Sequence, residues 1–374
     1  MLATGKAEAQ SVSADIEAPI FITLGQSNAD GSAFFDNDED ARLKAWYEKE
    51  HGTMRMYYRS CKVQNQKPNA LGESERQVFD DTIDVQPGWL DLWYRNENTS
   101  GRTAMNMIHG YGTSSTGTNT ACAQGRRGME GQFGVTYREA FPNKDLYMIK
   151  LGASGSFISA WSNPYDNTNW TYFFEKIYKP AIESLLDQGK RPVLAGIWWM
   201  QGCADSSKTE AYYEFFLRKL IENCRTELGL PDAYVYIGHI VKPGESAEFP
   251  DASVQYSQTV RDAQDAVANS TDRVVTVDTR NCAFQYEPAF AGHLHFSHKG
   301  VNAIGEMLAK DVASRGSSDW TPFTTPGTWI KTADGMKFVP TVGHPKITYT
   351  TNAGTVTATL TYPGWSETKT APAK

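Results

Sequence analysis

In the stretch "IFITLGQSNADG", Ile20 to Gly31, a serine follows an apolar run and a glycine. Ile20 to Leu24 reads as a buried strand, and Ser27 stands just beyond its carboxyl end. Sites on open α/β sheets form outside the carboxyl ends of strands. A serine placed there is close to outward-pointing backbone N–H groups. That suits a nucleophile whose own N–H helps to hold an oxyanion. It equally suits a serine that caps a helix, and position alone does not separate the two. The segment is not a G-x-S-x-G nucleophile elbow, because Ala29 fills the second glycine position. "LGASGS" offers rival serines, Ser154 and Ser156, which also follow a strand.

The elements that must position these groups alternate. After the first strand, "DLYMIKLGA" from Asp145 reads as a strand, and "WTYFFEKIYKPAIESLLDQG" as a helix ended by Gly189. "PVLAGIWWMQG" has almost no polar residue, as expected of a parallel strand covered on both faces. "EAYYEFFLRKLIENCRTELG" reads as a helix with Gly229 as its stop, and "AYVYIGHIV" and "RVVTVDT" as strands. "SHKGVNAIGEMLAKDVAS" reads as a helix with Ser297 as N-cap and Val301, Ile304, Leu308 and Val312 facing inward. Such alternation implies an α/β fold with a doubly wound parallel sheet in three layers.

Two regions break the pattern. Residues 36 to about 127 form an excursion rich in charge, Tyr, Gly, Ser and Thr, with strand-like pieces at "MRMYYRS" and "GWLDLWYRN". After Arg315, "HPKITYTTNAGTVTATLTYPGW" alternates around "NAG" and reads as a β-hairpin. The expected organisation is a tail over 1–17, a main domain over 18–315 with an insertion at about 36–127, and a small β appendage over 316–374. The tail is either disordered or the remnant of a signal peptide. Ala7-Glu8-Ala9 before Gln10 resembles a signal-peptidase site, so a periplasmic or secreted location is an expectation.

Composition narrows the function. The chain has 374 residues, of which 40% are hydrophobic, and a net charge of −7. That balance argues against a nucleic-acid partner, which needs clustered Lys and Arg. No apolar run of 18 or more residues predicts a membrane-spanning helix. Ten Trp and 18 Tyr suit a surface that stacks on ring-shaped ligands, although core packing accounts for most of them. The cysteines Cys61, Cys122, Cys203, Cys224 and Cys282 are odd in number, so at least one is free or pairs elsewhere.

"GQSNADG" resembles the first block of the SGNH-hydrolase superfamily, in particular its carbohydrate acetylesterase branch, which includes sialate O-acetylesterases and acetylxylan esterases. "GMEGQFG" is similar to that branch's "GPExxFG" block, "MIKLGASGSFISAW" to its strand-plus-glycine segment and "WWMQGCADS" to its "WxQGExD" block. "HLHFSHKGVNAIGEMLA" is similar to its final histidine block. The five blocks occur in order, from about residue 19 to 313.

The resemblance implies a flavodoxin-like fold and an acetyl-ester hydrolase of carbohydrates that needs no cofactor and no metal. It implies Ser27 as nucleophile and His295, directly before Phe296, as base, with His293 and His298 as rivals. It implies an oxyanion hole of the Ser27 N–H, the Gly128 N–H and the Gln201 amide, with Gly131 close enough to compete. For Gln201 the plain alternative is a loop-anchoring hydrogen bond. The sequence departs from the pattern twice. Gly292 stands where an aspartate three residues before the histidine is usual, and Cys203 where a glutamate is usual. A backbone carbonyl, Glu287, Asp278 or Glu130 are the possible replacements for the missing acid. The vacant position also admits a carbohydrate-binding protein that has lost catalysis, or a hydrolase of another ester. The spacing His293, His295, His298 with Asp278 admits a zinc site as well.

Overall fold

The computed structural model describes residues 16–34, 37–50, 52–58, 62–67, 76–80, 88–92, 95–96, 104–105, 126–153, 155–165, 167–241, 256–287 and 292–373. The expected leader at Ala7-Glu8-Ala9 and most of the 36–127 insertion lie outside them. The strands of the central sheet are β1 (Glu17–Gly25), β2 (Met54–Tyr58), β3 (Gly88–Asp91), β4 (Leu146–Gly152), β5 (Arg191–Met200), β6 (Val235–Gly238), β7 (Val274–Val277) and β8 (Thr321–Pro322). Their order is β7-β6-β5-β1-β4-β2-β3, with β8 paired to β5. All neighbours are parallel except β3 on β2 at one edge and β8, which pairs with the amino end of β5.

This order makes β1 the switch point. From β1 the chain first builds one side of the sheet and then the other, so a crevice opens at the carboxyl end of β1. Side-chain alternation along β1 explains the three layers. Ile20, Ile22 and Leu24 pack with the helices Gln258–Ser270 and Glu210–Thr226 and the helical stretch from Thr168 to Asp187. Phe21, one residue out of phase, packs on the other face with the helices Asn37–Lys49, Glu130–Ala140 and His298–Arg315. Each buried side chain of this size stabilises the fold by roughly 1.5–3 kcal/mol.

The stretch read as one helix up to Gly189 has three parts. An α-turn at Thr168–Tyr172 widens to a π-helix at Phe173–Tyr178 and tightens again at Lys179–Asp187. Pro180 has no N–H to close an α-helical bond, and the ladder opens in front of it. The two strand-like pieces of the excursion are not peripheral, because they form the β2–β3 edge of the central sheet. The last helix has the Ser297 cap, whose hydroxyl accepts the Gly300 N–H at 3.3 Å, and Val301, Ile304, Leu308 and Val312 are buried.

The C-terminal appendage is a two-stranded hairpin, Gly327–Thr332 with Gly335–Pro340, and a three-stranded antiparallel sheet, Lys346–Asn352, Thr355–Tyr362 and Trp365–Pro372. The turn in "NAG" has both Ala353 and Gly354 at positive φ, the pairing a two-residue hairpin of this twist demands. The appendage docks at the amino end of β5, away from the crevice. The Arg191 guanidinium lies over the Trp365 ring, and the Glu367 carboxylate accepts the Thr325 N–H at 2.8 Å. Among the described residues, no helix is long and apolar enough to cross a membrane.

Candidate active site

The Gly-Gln-Ser-Asn sequence is explained residue by residue. Gly25 has φ +142°, and a Cβ there would strike the carbonyl of Met200. Only glycine lets the end of β1 approach β5 so closely. The Gln26 N–H donates to Met200 O at 3.0 Å, and its side-chain oxygen accepts the Gly202 N–H at 2.9 Å. This double latch fixes the turn on which Ser27 sits. Ser27 opens a four-residue helix, Ser27–Asp30, whose backbone bonds begin with Asp30 N–H to Gln26 O at 2.8 Å. Asn28 then reaches across the crevice. Its side-chain oxygen accepts the Phe296 N–H at 3.1 Å, and its NH₂ donates to Leu294 O at 3.3 Å. Both flanks of His295 are therefore held by the residue next to the serine.

Ser27 and His295, 268 residues apart, meet with Oγ and Nε2 at 2.8 Å. On the other side of the ring, His295 Nδ1 and a Glu287 carboxylate oxygen are 2.5 Å apart. Ser27, His295 and Glu287 are all buried. The carboxylate arrives by way of a hairpin. Phe284 bridges Phe296 and Glu287 bridges Gly292, the two bridges being one residue out of step. The Gln285 N–H donates to His295 O at 3.0 Å, and its side-chain amide to Ser32 O at 2.9 Å, tying the hairpin to the serine turn. With both ring nitrogens engaged in this way, the geometry is a Ser-His-Glu relay: the serine hydroxyl donates to the imidazole, and the imidazole to the carboxylate.

The other candidate acids are held elsewhere. Asp278 accepts from Arg280 Nε at 2.9 Å and Nη2 at 2.5 Å, and these bonds hold its carboxyl down to about 2. Glu130 pairs with Lys150 Nζ at 2.9 Å, both fully buried. The Tyr286 ring lies edge-on to His293. His298 is the first residue of the last helix. Among the described residues, no three His, Cys, Asp or Glu side chains converge as a metal would require.

Gly128 follows a two-residue ladder in which Ala33 and Phe34 pair with Arg127 and Arg126, so block two is brought beside the serine turn. A Cβ on Gly128 would collide with the Glu130 carboxylate. Gly131, the rival, lies within the helix Glu130–Ala140, its carbonyl accepting the Tyr47 hydroxyl at 2.7 Å. Gln201 departs from the donor role the resemblance implies. Its NH₂ donates to Ser156 O at 3.0 Å and to the Asp205 carboxylate at 2.5 Å, while its oxygen accepts the Tyr213 hydroxyl at 2.9 Å. Both donations of the amide thus go to the wall, and Asp205 also accepts the Ile158 N–H at 2.9 Å, which ties it to the loop after β4. Among the rival serines, Ser156 is fully buried, donating to Ala153 O at 2.7 Å and accepting Trp161 Nε1–H at 3.0 Å; Ser154 lies outside the described residues. Cys203 is buried, and Cys224 and Cys282 are buried thiols outside any disulfide, each pushed up to about 12 by burial. Cys61 and Cys122 lie outside the described residues.

Sequence reasoning named Glu287 without selecting it and gave no role to Asn28 or Asp205. The signal was present in the blocks themselves, since Asn28 ends "GQSN" and Asp205 lies in "QGCADS".

No curated protein matches the chain. Among solved structures, a protein from Arabidopsis thaliana is 15% identical over 80% of this chain and 98% of its own, with a TM-score of 0.44. A carbohydrate acetylesterase from Xanthomonas citri is 13% identical over 92% of this chain and 63% of its own, with a TM-score of 0.42. NanS is 13% identical over 80% of this chain and 98% of its own, with a TM-score of 0.47. The family model for carbohydrate esterases described as sialic acid-specific acetylesterases matches residues 95–314, a span that begins beyond Ser27 and takes in Gly128, Gln201, Glu287 and His295. That span is more than half of the chain, and by it the protein belongs to the sialic acid-specific acetylesterase family of carbohydrate esterases.

Proposed function

We propose that this protein removes acetyl groups from carbohydrate hydroxyls through an acyl-enzyme on Ser27. His295 Nε2 takes the serine proton as Oγ attacks the acetyl carbonyl. Glu287 holds the Nδ1–H and stabilises the imidazolium that forms. The tetrahedral oxyanion is held by the backbone N–H groups of Ser27 and Gly128. His295 then returns the proton to the departing sugar hydroxyl. A water, deprotonated by the same imidazole, attacks the acyl-serine and releases acetate. Every step uses groups of this chain.

The single observation that carries the reading is the relay itself, Ser27 Oγ to His295 Nε2 at 2.8 Å and Nδ1 to Glu287 at 2.5 Å. A carbohydrate-binding scaffold without catalysis was motivated by glycine at position 292. Glu287 beside His295 supports the catalytic reading instead. Family membership supports the carbohydrate ester as substrate.

Acetate release from acetylated sialic acid, xylan and pectin fragments tests the substrate. Ser27→Ala should abolish nearly all hydrolysis of both these and an aryl acetate, while Ser156→Ala retains the catalytic serine. Wild-type turnover by folded Ser27→Ala would overturn the mechanism.

A further inference from the structure

Gly128 does not owe its glycine to its backbone angles. Its φ lies outside the left-handed region, where other residues are strained. What excludes a side chain is the contact beneath it. A Cβ would strike a Glu130 carboxylate oxygen and stand 3.0 Å from Lys150 Nζ. Glu130 and Lys150 form an ion pair at 2.9 Å, and both side chains are fully buried. The pair stands under the site. Successive side chains of a strand alternate between its faces, so Lys150 and Gly152 of β4 share one. A Cβ on Gly152 would strike the backbone of Asp30, the last residue of the helix that Ser27 opens. Lys150 is one step back along that face, level with Thr23 of β1. Glu130 is the first residue of the helix Glu130–Ala140, two positions after Gly128. One ion pair therefore joins the strand beneath the serine turn to the segment that carries the second proposed oxyanion donor.

Lys and Glu are almost never fully buried unless paired. Such a pair is weak evidence of stability, because lost hydration offsets the attraction, and a neutral pair of similar volume is often at least as stable. A role in placement fits it better. An oxyanion donor must be held where the charge will form, and a displacement near 1 Å can cost about 10² in rate. We propose that the Lys150–Glu130 pair is the seat of the oxyanion hole: Lys150 holds the Glu130 carboxylate against Gly128, and that contact sets the position of the Gly128 N–H. This inference deepens the acyl-enzyme reading above and rests on it. Glu130 and Lys150 are thereby positioning residues that act through Gly128.

The test uses the full chain and an aryl acetate, with urea midpoints measured beside kcat and KM. Gly128→Ala drives a methyl against the carboxylate. It should lower kcat about ten- to a hundredfold with KM within about twofold, since the oxyanion forms only after the ground state. Glu130→Asp draws the carboxylate back by one methylene and should cost about three- to tenfold in kcat. Gly128→Ala combined with Glu130→Asp gives the methyl room, so its kcat should exceed that of Gly128→Ala by about threefold or more. Lys150→Met with Glu130→Gln leaves no buried charge. It should unfold no earlier than wild type, yet lose about tenfold in kcat, because nothing then holds residue 130 on Gly128. The Glu130→Asp variants keep the charge pair and decide the case alone should the neutral variant not fold. Losses that multiply when Gly128→Ala and Glu130→Asp are combined, or wild-type kcat in the neutral variant, overturn the seat while Ser27 stays the nucleophile. Wild-type kcat in Gly128→Ala removes Gly128 from the oxyanion hole and the seat with it. Wild-type turnover by folded Ser27→Ala overturns the acyl-enzyme reading itself.

Discussion

Glu287 donates its backbone N–H to the carbonyl of Gly292 at 2.9 Å, so the acid that meets His295 is the hairpin neighbour of the position where a triad acid is usual. The carboxylate lies across the hairpin from that position and reaches the same imidazole, Glu287 and His295 Nδ1 being 2.5 Å apart. Glu287→Gln preserves the size of the side chain and removes the charge that orients Nδ1–H and stabilises imidazolium. It should lower kcat by about 10²–10⁴. Gly292→Asp in that background should recover part of the loss, since it places an acid on the backbone partner of residue 287, three residues before His295. Gly292→Asp alone should give no gain, because two carboxylates would compete for one N–H. Steady-state kcat of the four proteins decides, and full activity in Glu287→Gln would remove it from the relay.

Asn28 is the clamp on the histidine. Its amide satisfies Leu294 O and the Phe296 N–H, the two backbone groups flanking His295. Asn28→Ala frees that segment, and a displacement near 1 Å can cost about 10² in rate. We expect kcat to fall by about ten- to a hundredfold with little change in KM. Asn28→Asp keeps the acceptor for Phe296 but turns a negative oxygen toward Leu294 O, so its kcat should lie at or below that of alanine. A normal kcat in Asn28→Ala would show that the loop holds its own shape.

The layers were legible in the sequence because each rests on local periodicity: the apolar run Ile20–Leu24, the fully buried Arg191–Met200, and the 301, 304, 308, 312 stripe of the last helix. The β2–β3 edge was not read as sheet, because long polar stretches separate Met54–Tyr58 and Gly88–Asp91 from the alternating pattern. Ser27 and His295 were legible through their blocks. Glu287 could not be selected over Asp278 and Glu130, since its approach to His295 depends on an offset between two hairpin bridges. Gln201 at the end of a buried strand had the look of an oxyanion donor. Its orientation is decided by Asp205 and Ser156, whose positions depend on loop packing.

That orientation gives Gln201 a distinctive phenotype. Gln201→Ala would leave Asp205 and the Tyr213 hydroxyl without this partner in a buried wall, at a cost of about 1–3 kcal/mol. For a chain of this size the unfolding midpoint should drop by several degrees. Turnover of the folded protein should stay within about tenfold of wild type, measured well below the midpoint. An unchanged midpoint with kcat down by about 10²–10³ would be the signature of an oxyanion donor and would restore that role.

His239 makes stability depend on pH. It lies just past the carboxyl end of β6, buried, with Nε2 2.7 Å from the Asp265 carboxylate. Burial holds its imidazole below the ordinary value, outweighing the upward pull of Asp265 and of the more distant Asp278; Arg261 adds to the lowering. Above about pH 6.5 the histidine is neutral in both folded and unfolded chains, and its titration contributes no pH dependence. As pH falls through that value, the unfolded chain takes up a proton that the native His239 does not. The native state therefore loses stability from about 6.5 downward until the folded group is itself protonated, and no further below that. Urea midpoints measured from pH 7.5 to 5 should show wild type losing ground to His239→Gln over this window. Asp265→Asn removes the main opposing pull, lowers the folded value further and should deepen the loss. A wild-type protein that gained stability relative to His239→Gln on acidification would mean that Asp265 outweighs burial, with the sign reversed.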